Sequence, residues 1–141
     1  MQANRINRSH SARGFSLVEL LAVIMLLGII AGIVVPKVFG QAEGGKWKAS
    51  KAKVSAVSSK VEMYALDVGR PPEQLKDLVT KPGNAENWAG PYAKESDLTD
   101  AWGRVFEYKA PGEHGDFDVV MLGSDGQPGG EQWARDYGNW E

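Results

Sequence analysis

Arg13-Gly14-Phe15-Ser16-Leu17-Val18-Glu19-Leu20-Leu21-Ala22-Val23-Ile24-Met25-Leu26-Leu27-Gly28-Ile29-Ile30-Ala31-Gly32-Ile33-Val34-Val35-Pro36-Lys37-Val38-Phe39 is the stretch that decides how the rest of the chain is read. A basic segment ends in Gly14, and an apolar run follows with one acid, Glu19, near its start. Phe15 to Val35 matches the ~20 residues a helix needs to cross the hydrocarbon core of a bilayer. At ~1.5 Å per residue it makes roughly 31 Å of helix. A secretory signal peptide has a shorter apolar core with its cleavage site after it. Here the only candidate cleavage residue, Gly14, comes before the run. A buried soluble helix would need more chain to cover it than remains. The run therefore predicts a membrane span. Arg5, Arg8 and Arg13 precede it with no acid among them, so the positive-inside rule keeps the N-terminus cytoplasmic and exports the remainder.

Glu19 needs a reason to be there, since a charge inside a span costs about 2.5–3.5 kcal/mol on insertion scales. One reading keeps it wet, close to the headgroups at the start of the helix. The other pairs it with a cation at its own depth. If the chain is cut after Gly14, the new α-amino group of Phe15 is that cation, one helical turn away. Gly28 and Gly32 form a small-xxx-small spacing that lets helices approach closely. Glycine is also simply common in spans, and the spacing alone leaves both readings open. Pro36 removes a backbone donor and is expected to kink or weaken the helix, with Gly40, Gly44 and Gly45 as further soft points.

The chain has 141 residues and a formal net charge of −2. Without the leader's three arginines, 13 basic and 18 acidic residues remain, net −5. That balance opposes nucleic-acid binding, which calls for a basic face. About a hundred residues beyond the span suffice for one small domain. Cysteine is absent, so any staple in that domain must be a metal or a partner subunit. His10 and His114 have no second histidine or cysteine in a ligand pattern, which argues against metal or catalytic roles for either.

From Lys46 to Val68 the pattern turns amphipathic. Trp47, Val54, Val61 and Val68 recur every seven residues, with Ser50, Val57 and Tyr64 interleaved. This predicts a helix whose apolar stripe packs on a sheet. Lys46, Lys48, Lys51, Lys53 and Lys60 lie on the other face and read as a solvated surface. Gly69 suits a C-terminal cap, and Pro71-Pro72 stops the helix. Glu73–Val79 can make about two helical turns. Lys81 to Asp100 is loop, pinned to the domain by Trp88 and Tyr92. Val105-Phe106-Glu107-Tyr108 and Phe117–Leu122 are strand candidates, joined by a hairpin connection at 110–115. The glycine-rich tail after Leu122 is expected to be irregular. Asp125, Glu131, Asp136 and Glu141 make it either an ordinary acidic end or a set of oxygen ligands outside the EF-hand pattern.

The segment Gly14-Phe15-Ser16-Leu17-Val18-Glu19-Leu20 resembles the processing site of type IV pilins and pseudopilins. There a prepilin peptidase cuts after the glycine and the new N-terminus is methylated. Further segments are similar to the major pseudopilins of type II secretion systems: Met63-Tyr64-Ala65-Leu66-Asp67, Asp100-Ala101-Trp102-Gly103, Gly112-Glu113-His114-Gly115-Asp116-Phe117-Asp118, Leu122-Gly123-Ser124-Asp125-Gly126 and Gly138-Asn139-Trp140. Ala101 stands where that family usually has proline, the stretch around Pro72-Glu73-Gln74-Leu75 is short, and Trp133-Ala134-Arg135 replaces a more acidic run.

The resemblance implies an α+β fold: a long N-terminal helix, membrane-spanning in its first half, packed on a small antiparallel β-sheet with an irregular C-terminal loop. It divides the chain into a prepilin leader (1–14), a transmembrane and polymerisation helix (15–39) and a periplasmic domain (40–141). Within the domain come the amphipathic helix (about 46–68), a loop (69–103), the sheet (about 104–122) and a calcium-loop tail (123–141). It implies processing at Gly14 and Phe15, assembly roles for Glu19, Gly28, Gly32 and Pro36, and loosening of the helix between Gly28 and Pro36 as filaments form. It also implies a structural calcium ion held by the carboxylates of Asp125 and Asp136 and the carbonyls of Leu122 and Gln127. The implied function is structural, not enzymatic: an inner-membrane subunit polymerising into a helical periplasmic filament that helps drive folded exoproteins across the outer membrane. Its partners would be minor pseudopilins, the inner-membrane assembly platform, the prepilin peptidase and the exoproteins, with no nucleic acid. A type IV pilin for motility, adhesion or DNA uptake is the alternative, although many of those carry a C-terminal cysteine pair. A membrane-anchored enzyme lacks support, since no nucleophile–base pair, metal triad or phosphate loop is present.

Overall fold

A computed structural model describes residues 14–141. The basic leader, with Arg5, Arg8, Arg13 and His10, lies outside the described residues. One helix, α1, runs from Leu17 to Val68 without interruption. The sequence separates a span from an amphipathic helix beginning near 46, but the backbone joins them, and Pro36, Gly40, Gly44 and Gly45 all lie within helical turns. A proline removes one hydrogen bond from the ladder and a glycine costs about 1 kcal/mol of propensity. Neither ends this helix of 52 residues. Gly69 terminates it with φ of +86°, and its N–H donates to the Ala65 carbonyl at 2.8 Å. The left-handed conformation there favours glycine.

By contacts the chain forms two units, Met1–Val38 and Phe39–Glu141. In the first, every described side chain from Phe15 to Val35 is exposed. In the second, α1 is the spine of a small α+β domain. Ser50, Val54, Val57, Val61 and Tyr64 are buried in the core, as the seven-residue pattern predicts, while Trp47 and Val68 at its ends are half-buried. Opposite them lie Leu75, Leu78, Leu98, Phe106, Val119 and Met121.

Three antiparallel strands form the sheet in the order β1 (Glu107–Lys109), β2 (Asp118–Met121) and β3 (Tyr137–Gly138). Glu107 pairs with Val120 and Lys109 with Asp118 across β1–β2, and Met121 pairs with Tyr137 across β2–β3. The expected strand at 105–108 thus begins two residues later; Val105 makes an isolated bridge to Thr99 instead. The tail departs from expectation. It is not wholly irregular, because Gln132–Ala134 forms a 3-10 turn and Tyr137–Gly138 closes the sheet. Two residues are too few to show the alternation by which strands are read.

The connection 69–106 is pinned as expected. Trp88 donates its indole N–H to the Asp77 carbonyl at 2.9 Å, and Tyr92 meets Tyr64 edge-on at 5.6 Å between ring centroids. Short 3-10 turns at Leu75–Leu78 and Glu95–Leu98 add order. The lysine face is solvated at Lys46, Lys48 and Lys51, which are exposed, while Lys53 and Lys60 are half-buried and engaged. Lys53 donates to the carbonyls of Thr99 (2.8 Å) and Ser96 (3.2 Å), and Lys60 pairs with Asp97 at 2.5 Å. Lys51 lies 4.5 Å from the centre of the Tyr137 ring. These lysines tie the loop at 95–99 and strand β3 to α1.

Candidate assembly and metal-binding sites

The helix start and the C-terminal loop carry the residues of functional interest. Gly14 and Phe15 precede α1, and Phe15 is 82% exposed. Ser16 and Glu19 form a reciprocal pair. The Glu19 N–H donates to Ser16 Oγ at 3.1 Å, and the Ser16 N–H donates to Glu19 Oε2 at 3.5 Å. This is a capping box, which satisfies two of the backbone donors that a helix start leaves free. The Ser-x-x-Glu signature was legible in the sequence but lay inside the apolar run that drew the reading. Within one subunit, then, Glu19 has a local partner at the helix end. Gly28 and Gly32 sit on the exposed helix with open space where a Cβ would stand. Pro36 is helical in backbone.

The C-terminal loop leaves β2 at Leu122 and returns at β3. Continuing the Met121–Tyr137 register by one residue sets Asp136 across from Leu122. The loop is laced by its own backbone. The Ser124 N–H reaches the Trp133 carbonyl at 2.7 Å, and the Gly126 N–H reaches the Gly123 carbonyl at 3.2 Å. Gly123 passes so close to Ala134 that a Cβ would overlap its backbone. Asp125 is exposed and accepts the Gln127 N–H at 3.2 Å. Asp136 accepts the Gly129 N–H on Oδ2 at 2.7 Å. Its other oxygen, Oδ1, is buried with no hydrogen-bond partner.

Calcium takes oxygen from carboxylates and carbonyls, the donor types this loop carries. An acceptor buried without a donor is costly, and a cation would relieve that cost at Asp136 Oδ1. No cluster of three or more histidine, cysteine, aspartate or glutamate side chains that could hold a metal occurs among the described residues. The Leu122 carbonyl, one of those expected, accepts a hydrogen bond from Arg104 Nη2 at 3.0 Å. Trp133 and Arg135 point elsewhere. The Trp133 indole packs against Gly44, and the Arg135 guanidinium pairs with Glu141. The Arg135 carbonyl takes the Trp47 indole N–H at 2.9 Å.

Sequence reasoning missed two residues. Arg104 has no motif of its own. Asn139 entered only as part of a resemblance, yet its side chain extends the sheet. The Val119 N–H donates to Asn139 Oδ1 at 2.8 Å, and Asn139 Nδ2 donates to the Phe117 carbonyl at 3.3 Å. At the hairpin, His114 stacks on Trp140 with ring centroids 3.7 Å apart. Its Nδ1 lies 3.2 Å from Asp118 Oδ2. Burial raises the Asp118 carboxyl, but the Glu113 N–H and the ring and N–H of His114 outweigh it and hold the group below the usual carboxylate range.

The family model for the prokaryotic N-terminal methylation motif matches residues 9–35, and that for type II secretion system (T2SS), protein G, matches residues 37–140. Type II secretion system core protein G of Xanthomonas campestris pv. campestris is 42% identical over 123 residues, covering 87% of this chain and 86% of that protein. Its Vibrio cholerae counterpart is 40% identical over 133 residues, covering 90% of both. The crystal structure of the major pseudopilin from the type 2 secretion system of enterohaemorrhagic Escherichia coli superposes with a TM-score of 0.59 at 29% identity, covering 72% of this chain and 92% of that one. An apolar helix start bearing the methylation motif, a helix-on-sheet domain and matches along nearly the whole length place this chain in the type II secretion system protein G family, the major pseudopilins.

Proposed function

We propose that the subunit is held in the inner membrane by residues 15–35, with its N-terminus cytoplasmic and residues 40–141 periplasmic, and that it polymerises into the filament that pushes folded exoproteins outward. The supporting observation is the run of exposed apolar side chains from Phe15 to Val35 on the same helix that forms the domain's spine. Such a surface is stable only in lipid or against other apolar helices. A head-to-tail contact that does not close on itself yields a helical filament. Cleavage after Gly14 frees the Phe15 amine to meet Glu19, in the same or a neighbouring subunit. Minor pseudopilins and the assembly platform are the partners this role requires.

Calcium is proposed as the staple of the loop, held by Asp125, Asp136 and the carbonyls of Leu122 and Gln127. The ion supplies positive charge that binds the two sides of the loop together. Deleting the gene tests the central reading. Exoproteins should then accumulate in the periplasm, and the intact gene should restore their release. Undiminished secretion together with loss of surface fibres would instead make the chain a pilin in function. Intact mass of the membrane-extracted protein tests processing, since a chain still beginning at Met1 beside an active peptidase contradicts it.

A further inference from the structure

Arg104 is held at both ends of its guanidinium, with 34% of its side chain still exposed. Its Nε donates to Asp100 Oδ2 at 2.9 Å, and the Asp100 side chain is 3% exposed. Asp100 Oδ1 in turn accepts the N–H groups of Trp102 (2.8 Å) and Arg104 (2.9 Å), so the anchor is itself fixed. The guanidinium carbon stands 5.0 Å from the Trp102 ring centre. At the far end, Nη2 donates to two successive carbonyls, Leu122 at 3.0 Å and Gly123 at 2.5 Å. Gly126, with φ of +67°, wraps so near that a Cβ there would overlap Arg104 Nη1. Two carbonyls converging on one positive nitrogen form the kind of oxygen environment that also suits a metal cation. The loop thus closes around a charge that the chain itself supplies, and the same loop carries the unpartnered Asp136 Oδ1.

We infer that Arg104 is an intrinsic cation of the loop 122–136, holding its carbonyls when calcium is away and opposing calcium when it arrives. This rests on the calcium reading above. A Leu122 carbonyl engaged by a guanidinium is a poorer ligand for an ion, and two positive charges drawn to that one oxygen repel. Each cation therefore weakens the other's hold, and the coupling is reciprocal. Arg104 keeps the loop closed without metal and, in the same act, lowers its affinity for metal. Asp136 Oδ1, which Arg104 does not reach, remains the reason for an ion to bind.

The test is isothermal titration of the full chain in detergent micelles with calcium chloride, paired with thermal melting in calcium and in chelator. R104Q should bind calcium on the order of tenfold more tightly than wild type. Its midpoint in chelator should fall, and its gain on adding calcium should exceed that of wild type. R104K keeps the charge but cannot fork onto Asp100 and two carbonyls at once. It should bind with intermediate affinity, and it decides the matter if R104Q does not fold. Wild-type calcium binding that is unchanged or weaker in R104Q, or unchanged in R104K where R104Q does not fold, overturns the inference and leaves the calcium site standing. Absence of calcium binding in wild type and variants alike overturns both.

Discussion

Asn139 completes the third strand with its side chain, taking the Val119 N–H on Oδ1 at 2.8 Å while its own N–H donates to the Val119 carbonyl at 3.1 Å. Val119 is fully buried, so its N–H has no water to turn to. Asn139→Ala should leave that donor unmet and cost about 1–3 kcal/mol. For a domain of this size, each kcal/mol lowers the melting midpoint by roughly 4–8 °C. Hydrogen exchange at Val119 should quicken most. An unchanged midpoint would show that the β2–β3 pairing does not depend on the amide.

Glu19 has two partners to choose between, and mutation separates them. As half of a capping box with Ser16, its loss frays the helix start by about 0.5–2 kcal/mol, and Ser16→Ala should do the same. As the acid that meets the Phe15 amine, its loss stops assembly. Glu19→Ala should therefore give a processed, membrane-held subunit with few filaments, while Ser16→Ala assembles normally. Equal filament yields from the two variants would return Glu19 to a purely local role.

Asp118 should make the domain sensitive to acid. Its carboxyl lies below the usual 3.8 in the folded chain: burial raises it, but the Glu113 N–H and His114 outweigh burial. A depressed carboxylate contributes stability above the unfolded value, and that contribution is lost as pH falls through the folded value. Asp118→Asn should cost about 1–3 kcal/mol at neutral pH, since the Glu113 N–H, now 2.7 Å from Asp118 Oδ2, loses a charged acceptor. As pH falls below the ordinary carboxylate value toward the lower folded one, the gap between variant and wild type should narrow. Parallel melting curves down to pH 3 would contradict the assignment.

Asp125→Ala and Asp136→Asn should abolish the calcium-dependent rise in midpoint. At a hundredfold excess of ion over Kd, that rise reflects about 2.7 kcal/mol in wild type. The variants differ without metal. Asp125 is exposed, so its loss costs little, whereas Asp136 also holds the Gly129 N–H at 2.7 Å. A calcium response that survives in both would mean the ion, if it binds, binds elsewhere.

What the sequence made legible followed periodicity. Ser50, Val54, Val57, Val61 and Tyr64 are buried because a seven-residue repeat over three heptads leaves only one face for a core. The hairpin at 110–115 could be placed because two apolar runs bracket turn residues. What escaped depends on contacts without a pattern. Lys53 binds the carbonyls of Ser96 and Thr99, which any residue types could supply. Arg104 reads the carbonyls of Leu122 and Gly123 in the same way. Strand β3 is two residues long, and an asparagine side chain carries the pairing onward. Residues 122, 125, 127 and 136 came from a likeness to known proteins; the orphaned oxygen of Asp136 is a three-dimensional fact.

The tail reaches back to α1 across a long stretch of chain. Trp47 and Arg135, joined by one hydrogen bond, stand 88 residues apart in sequence, and the Trp133 indole fills the space where Gly44 lacks a side chain. By contrast, β1 and β2 pair over a short hairpin. Contacts that close long loops carry the larger entropic cost. In the order of folding, helix and hairpin should therefore come first and the tail should dock last. The same order runs backward in the finished domain, where the segment that closes last is the first to open. Proteases should accordingly find their earliest cut between Gly123 and Arg135 while the helix and hairpin remain intact, so a brief digestion reports how firmly the loop is shut.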